Sequence, residues 1–206
     1  MFFDILALVS LLFIIIIMKR FAGFLPTIVA CLLWWKENIN IDASLKTRRD
    51  RNIVALSMVL PFCLLISKFR LFELDFTDGL SEDVNIGITA GFFLGYMIIR
   101  EVIAAGIQPR RINTNIWHAA TTTEYTFFIP MTIILLGTGG ILSISNVSYE
   151  VIKHAMFWIS GAIYFVFLVR KLQIFSSSCN LFSAFLYLCA LEILPTGVLI
   201  TSAVIF

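Results

Sequence analysis

Charged residues are what this sequence has least of: Asp, Glu, Lys and Arg make up 14% of its 206 residues, against 60% hydrophobic ones. A soluble domain carries nearly twice that charge. The mean hydropathy of +0.97 points the same way, so a soluble fold is excluded. A net charge of +2 is too small to recruit nucleic acid. No polar stretch is long enough to form a soluble module, which implies one integral membrane domain over residues 1–206.

Recognisable chemistry is scarce as well. The chain has no HExxH helix, no P-loop, no GxSxG elbow and no paired aspartates of the kind that hold metal on prenyl phosphates, so the reading leans away from an enzyme. Cys31, Cys63, Cys179 and Cys189 stand singly, without the spacing of a zinc site, a redox motif or a disulfide framework, and read as small hydrophobes. A membrane haem needs two imidazoles at one depth. His118 lies at the inner start of the fourth segment and His154 at the outer start of the fifth, with the membrane thickness of roughly 30 Å between them, so no cofactor is expected and each histidine reads as an interfacial hydrogen-bonding residue.

What the chain does have is long apolar runs. Six segments satisfy the need for about 20 mostly apolar residues, or slightly fewer at the limit: roughly 2–18, 52–67, 85–107, 119–142, 153–169 and 181–204. The first carries its basic pair Lys19 and Arg20 after the apolar run, opposite to a signal peptide, and is expected to be a retained helix. Between the first two lies "FAGFLPTIVACLLWW", Phe21 to Trp35, apolar but short and interrupted by Gly23 and Pro26. It is expected to be an interfacial or re-entrant helix, with a seventh span as the alternative. The fold class is therefore all-α: a polytopic transmembrane bundle of about six spans plus one interfacial or re-entrant helix.

The positive-inside rule orients it. "KENINIDASLKTRRDR", with Lys36, Lys46, Arg48, Arg49 and Arg51, is expected in the cytoplasm, and the loop with Glu73, Asp75, Asp78, Glu82 and Asp83 outside. Arg110 and Arg111, then Arg170 and Lys171 in "RKLQIFSSSCN", mark the later inner loops. The basic loop, through Lys46, Arg48, Arg49 and Arg51, is a candidate surface for a membrane or cytoplasmic protein partner or for anionic lipid.

Two patterns inside the spans stand out. Gly87, Gly91 and Gly95 recur at four-residue steps and form a smooth stripe for close helix approach, either within the monomer or across an oligomer face. Gly137, Gly139 and Gly140 allow a similar approach or a bend. The second pattern is ionisable residues at one depth. Arg100 and Glu101 lie about two turns inside the inner end of their span, Glu124 one to two turns in beside Thr121 to Thr123, His118 at the start of that span, and Glu192 about 16 Å into the last. Charge at that depth is costly and faces the bundle interior in pairs. The residues form a structural ion-pair knot, an ion, proton or small-anion site, or in part snorkel to the interface. Arg100 is the expected partner of Glu192, because its planar fork binds a carboxylate bidentately and keeps its charge when desolvated.

The stretches "FLYLCALEILP" and "TTTEYTFFIPMTIILL", with an N-terminal span followed by a basic segment, resemble a family of bacterial integral membrane proteins of the Bacteroidota that carries only a domain-of-unknown-function label. The likeness covers most of the chain. It departs at the end, where "TGVLITSAVIF" lacks the lysine that often follows LEILP in that family. The resemblance implies a multi-pass protein of the bacterial inner membrane and supplies no activity. Taken together, the residues point to a structural or assembly protein that binds a partner; the alternative is a small proton-coupled transporter or channel built on the buried Arg/Glu cluster.

Overall fold

A computed structural model describes residues 2–71, 82–107, 112–145 and 147–205. Glu73, Asp75, Asp78, Arg110 and Arg111 lie outside the described residues, as do the side chains of Glu82 and Asp83. The elements are α1 (Phe2–Leu33), α2 (Trp35–Ala43), α3 (Leu45–Lys68), α4 (Glu82–Gly106), α5 (Thr114–Ile144), α6 (Tyr149–Ser176), α7 (Leu181–Leu188), a π-helical turn (Cys189–Ile193) and α8 (Leu194–Ile205). No strand occurs among the described residues. Six helices are long and apolar enough to cross a membrane, the last being α7, the π turn and the start of α8 in one run.

The six spans agree with the sequence, but the extra helix does not sit where expected. Phe21 to Leu33 is not a separate in-plane segment: it continues α1 through Gly23 and Pro26. Proline is tolerated inside membrane helices because neighbouring groups re-satisfy the freed backbone, and α3 and α5 also run through Pro61 and Pro130. The end of α1 is secured from outside. Asn38 Nδ2 donates to the Cys31 carbonyl (3.1 Å) and Arg170 Nε to the Leu32 carbonyl (3.0 Å), so two orphan acceptors of the last turn are met, one by a cation at the negative end of the helix. The short element that does not span is α2, and Arg20, mid-helix on α1, reaches Asp50 at 3.8 Å.

Three apolar clusters stack along the bundle. One joins α1 to α3 around Phe24, Ile28, Val54 and Ile129. A second holds the end at which α3 and α4 approach α5 and α6, around Phe62, Leu135 and Met156. The third, around Trp117, Ile174, Phe175 and Leu191, closes the opposite end, where α2 and the basic residues 46–49 lie. Helices α5 and α6 pack most extensively, whereas α4 rests chiefly on α3 and stands off α5 and α8. Tight approach between α5 and α6 depends on Gly139: a Cβ there would run into Met156 and come within 3.2 Å of the Phe69 ring. At Gly87, Gly91 and Gly95 a Cβ meets nothing within 4 Å, so among the described residues no other helix packs directly on that stripe. Gly91 and Gly95 line an open apolar groove of about 710 Å³ between α4 and α8.

Candidate functional site: a buried charge quartet

The last span does not stay α-helical. Pro195 has no N–H to give and its ring crowds the carbonyl four residues back, so the helix widens ahead of it. The result is the π turn, in which the Leu194 N–H bonds the Cys189 carbonyl five residues earlier. A π turn shifts the helix register locally, and here Glu192 sits in the turn with only 1% of its surface exposed.

Two cations meet it. Arg100 of α4 donates through Nε at 3.1 Å, and through Nη2, to Glu192 Oε1, and Lys171 of α6 donates to the same oxygen. Arg100 also pairs through Nη1 with Glu124 of α5. Arg100 is 5% exposed and Lys171 not at all. Two cations and two carboxylates therefore form a quartet of balanced formal charge that ties α4, α5, α6 and the π turn together. The balance matters because the effective cost of an uncompensated buried ion is several kcal/mol.

Lys171 is the member that sequence reading missed. Expected in an inner loop with Arg170, it lies inside α6, which continues to Ser176. Its ammonium lies 5.5 Å from the centroid of Phe167 and 6.0 Å from that of Phe175, the rings one turn to either side. The spacing F-x-x-x-K-x-x-x-F was the available signal, since it puts a lysine on an aromatic helix face.

The other expected members separate. Glu101 is exposed and accepts a hydrogen bond from Tyr125 Oη (2.9 Å), at the rim of the quartet. His118 is not in it: its Nδ1 lies 3.6 Å from Asp42 Oδ2, and its side chain is 47% exposed. Asp42 belongs to a second buried centre. Arg51 Nη2 lies 3.0 Å from Asp42 Oδ1, and Thr122 Oγ1 donates to Asp42 Oδ2 (2.6 Å). Arg51 is 1% exposed, so it does not belong to the accessible basic surface expected over residues 36–51; Lys46 and Arg49 are exposed and Arg48 is half-buried. Of the cysteines, Cys31 and Cys63 are buried. Cys179, beyond the end of α6, donates to the Phe175 carbonyl (3.1 Å), and burial pushes its thiol above the ordinary range.

The quartet lies between two aromatic groups. Trp117 packs 5.7 Å from Phe175 and 6.0 Å from Tyr187 by ring centroid, about one to two turns toward the basic end, and plugs that side. On the other side α4 fails to close on α5 and α6 and leaves a cavity of about 130 Å³, into whose wall Glu124 and Glu192 are set with Tyr96, Tyr125 and Tyr164. Thr196, one turn past Glu192, anchors two of these: Tyr164 Oη donates to its Oγ1 (3.1 Å), and Tyr96 Oη lies 3.0 Å from the same atom.

A helical bundle with six candidate spans and a charge quartet at their centre defines a multi-pass membrane protein. Within that class the chain belongs to the family described as "Domain of unknown function (DUF4271)", whose model matches residues 4–202. No curated protein and no solved structure matches it.

Proposed function

We propose that this chain is a small proton-handling membrane protein of the carrier type and that the quartet is its working site. One observation carries the reading: Arg100, Lys171 and Glu192 are buried and Glu124 is half-buried, yet both carboxylates border a cavity. The second oxygen of Glu192 takes none of the hydrogen bonds described for that carboxylate, and a cavity of about 130 Å³ with several polar groups on its wall is roomy and polar enough to hold water. A proton arriving from the Glu101 and Tyr125 rim would find Glu124 first and Glu192 beyond it. The weak seating of α4 supplies an element able to move while Arg100 exchanges partners. The orientation that puts residues 36–51 in the cytoplasm of a bacterial inner membrane belongs to the same proposal.

The charge balance of the quartet favours a second reading, a purely structural pin in a protein that binds a partner through Lys46 and Arg49 at the basic end. Proton flux separates the two. Proteoliposomes loaded with a pH-sensitive dye and given an inside-negative potential should acidify faster with the wild type than without protein, and Glu124→Gln should abolish the difference. Flux equal to that of empty vesicles, or unaltered by Glu124→Gln, would establish the structural reading.

A further inference from the structure

The cavity beside the quartet is one-sided in charge. Its wall carries Glu124 and Glu192 and no basic side chain. Arg100 and Lys171 approach the carboxylates from behind, where a much smaller hollow of about 10 Å³ is lined by both cations. Since the described bonds to the Glu192 carboxylate all fall on Oε1, Oε2 is the atom left for whatever enters. Much of the remaining wall is aromatic, including Phe93, Phe127, Phe128 and Phe167. Phe93 and Phe128 stack on each other at 5.6 Å with planes 25° apart, and both are in the cavity wall.

Ring faces attract cations, and several rings around a site select alkylated ammonium groups, whose apolar shell loses little on leaving water. The protein already uses this chemistry: the Lys171 ammonium lies 5.5 Å from the centroid of Phe167, a ring of the same cavity. We propose that the cavity binds a small organic cation, an alkylammonium, with its nitrogen facing the two carboxylates and its carbon groups against the rings. An anion would meet two carboxylates and no donor cation on that wall, and a cavity of about 130 Å³ excludes a nucleotide or a lipid headgroup with its glycerol. The proposal deepens the proton-handling reading and rests on it for purpose: the quartet is balanced, so an entering cation would be offset by a proton leaving the site. Binding itself is measurable without transport.

The test uses the full chain purified in detergent, with thermal unfolding as the readout. Tetramethylammonium or butylammonium chloride at millimolar concentration should raise the transition by several degrees, through preferential binding to the folded state. Sodium butyrate and sodium chloride should not. Ile163 and Met131 also line the cavity; Ile163→Trp fills it without replacing a charged residue and should remove the ammonium response, while the ligand-free protein still unfolds in one cooperative transition. Met131→Phe provides a second filled cavity if the first variant does not fold. No shift with either ammonium salt, an equal shift with butyrate, or a shift retained in the filled cavity would overturn the proposal. An ammonium shift in a protein without proton flux would support the ligand and sink the proton reading; flux that depends on Glu124 without an ammonium shift would do the reverse.

Discussion

Two buried arginines in this protein do different things, though both are almost fully withdrawn from solvent. Arg51 faces one carboxylate, Asp42, nine positions away in sequence, and the pair locks α2 against the start of α3 at 3.0 Å. Arg100 sits between two carboxylates, Glu124 and Glu192, while Glu192 also holds Lys171 on another helix. The first centre joins one arginine to one carboxylate, which Thr122 and the half-exposed His118 also approach, and no cavity is described beside it. The second distributes its charge over four elements and borders a cavity. Buried ion pairs are weak evidence for stability in themselves; what distinguishes a fastening from a working site is whether the charges border a cavity that an exchanging group can enter.

The largest effects should come from breaking either centre with one substitution. Glu192→Gln strands Lys171 and leaves Arg100 with Glu124 alone, and should cost about 3–5 kcal/mol, read as thermal stability in detergent. Adding Lys171→Gln should recover most of that loss, because Arg100 keeps Glu124. Adding Arg100→Gln instead should recover little, since Lys171 and Glu124 are both left unpaired. If the two double variants prove equally stable, the quartet is not connected as described.

Arg51→Gln should cost a similar amount, about 3–5 kcal/mol, with most of it restored by Asp42→Asn. The difference lies in function: proton flux should survive this double variant. Loss of flux there would erase the distinction between the two arginines.

A smaller effect, about 1–3 kcal/mol, is expected for Gly139→Ala, which presses a methyl group into Met156 and the Phe69 ring. Gly91→Ala should stay within about 0.5 kcal/mol, because its Cβ enters open space. A stability loss at Gly91 that depends on protein concentration would show that a second copy covers the stripe. The smallest change in stability should follow Pro195→Ala, which restores a backbone donor at the π turn while Glu192 stays held by Arg100 and Lys171.

How much of this the sequence disclosed depends on which coordinate was needed. Depth is legible, since a helix rises uniformly, and depth alone brought Arg100, Glu124 and Glu192 to one level. Azimuth is harder to read. His118 and Thr122 are four residues apart and share the face that meets Asp42, while Glu124, two residues further on, points to the opposite side and meets Arg100. Grouping by depth therefore placed His118 with the wrong centre. Lys171 was hidden by the rule that makes basic residues good markers of loops, which takes no account of a lysine flanked by phenylalanines one turn away. The fate of Phe21 to Leu33 turned on remote groups, Asn38 and Arg170, that no local pattern around Pro26 contains.

The central claim, that the quartet works as well as fastens, is tested most directly by proton flux through the Glu192→Gln, Lys171→Gln double variant in proteoliposomes, measured beside its thermal transition. The variant keeps a balanced Arg100 and Glu124 pair, so it should fold with close to wild-type stability and yet fail to carry protons. A double variant as stable as wild type that carries protons at the wild-type rate would contradict the account and leave Glu192 a structural residue.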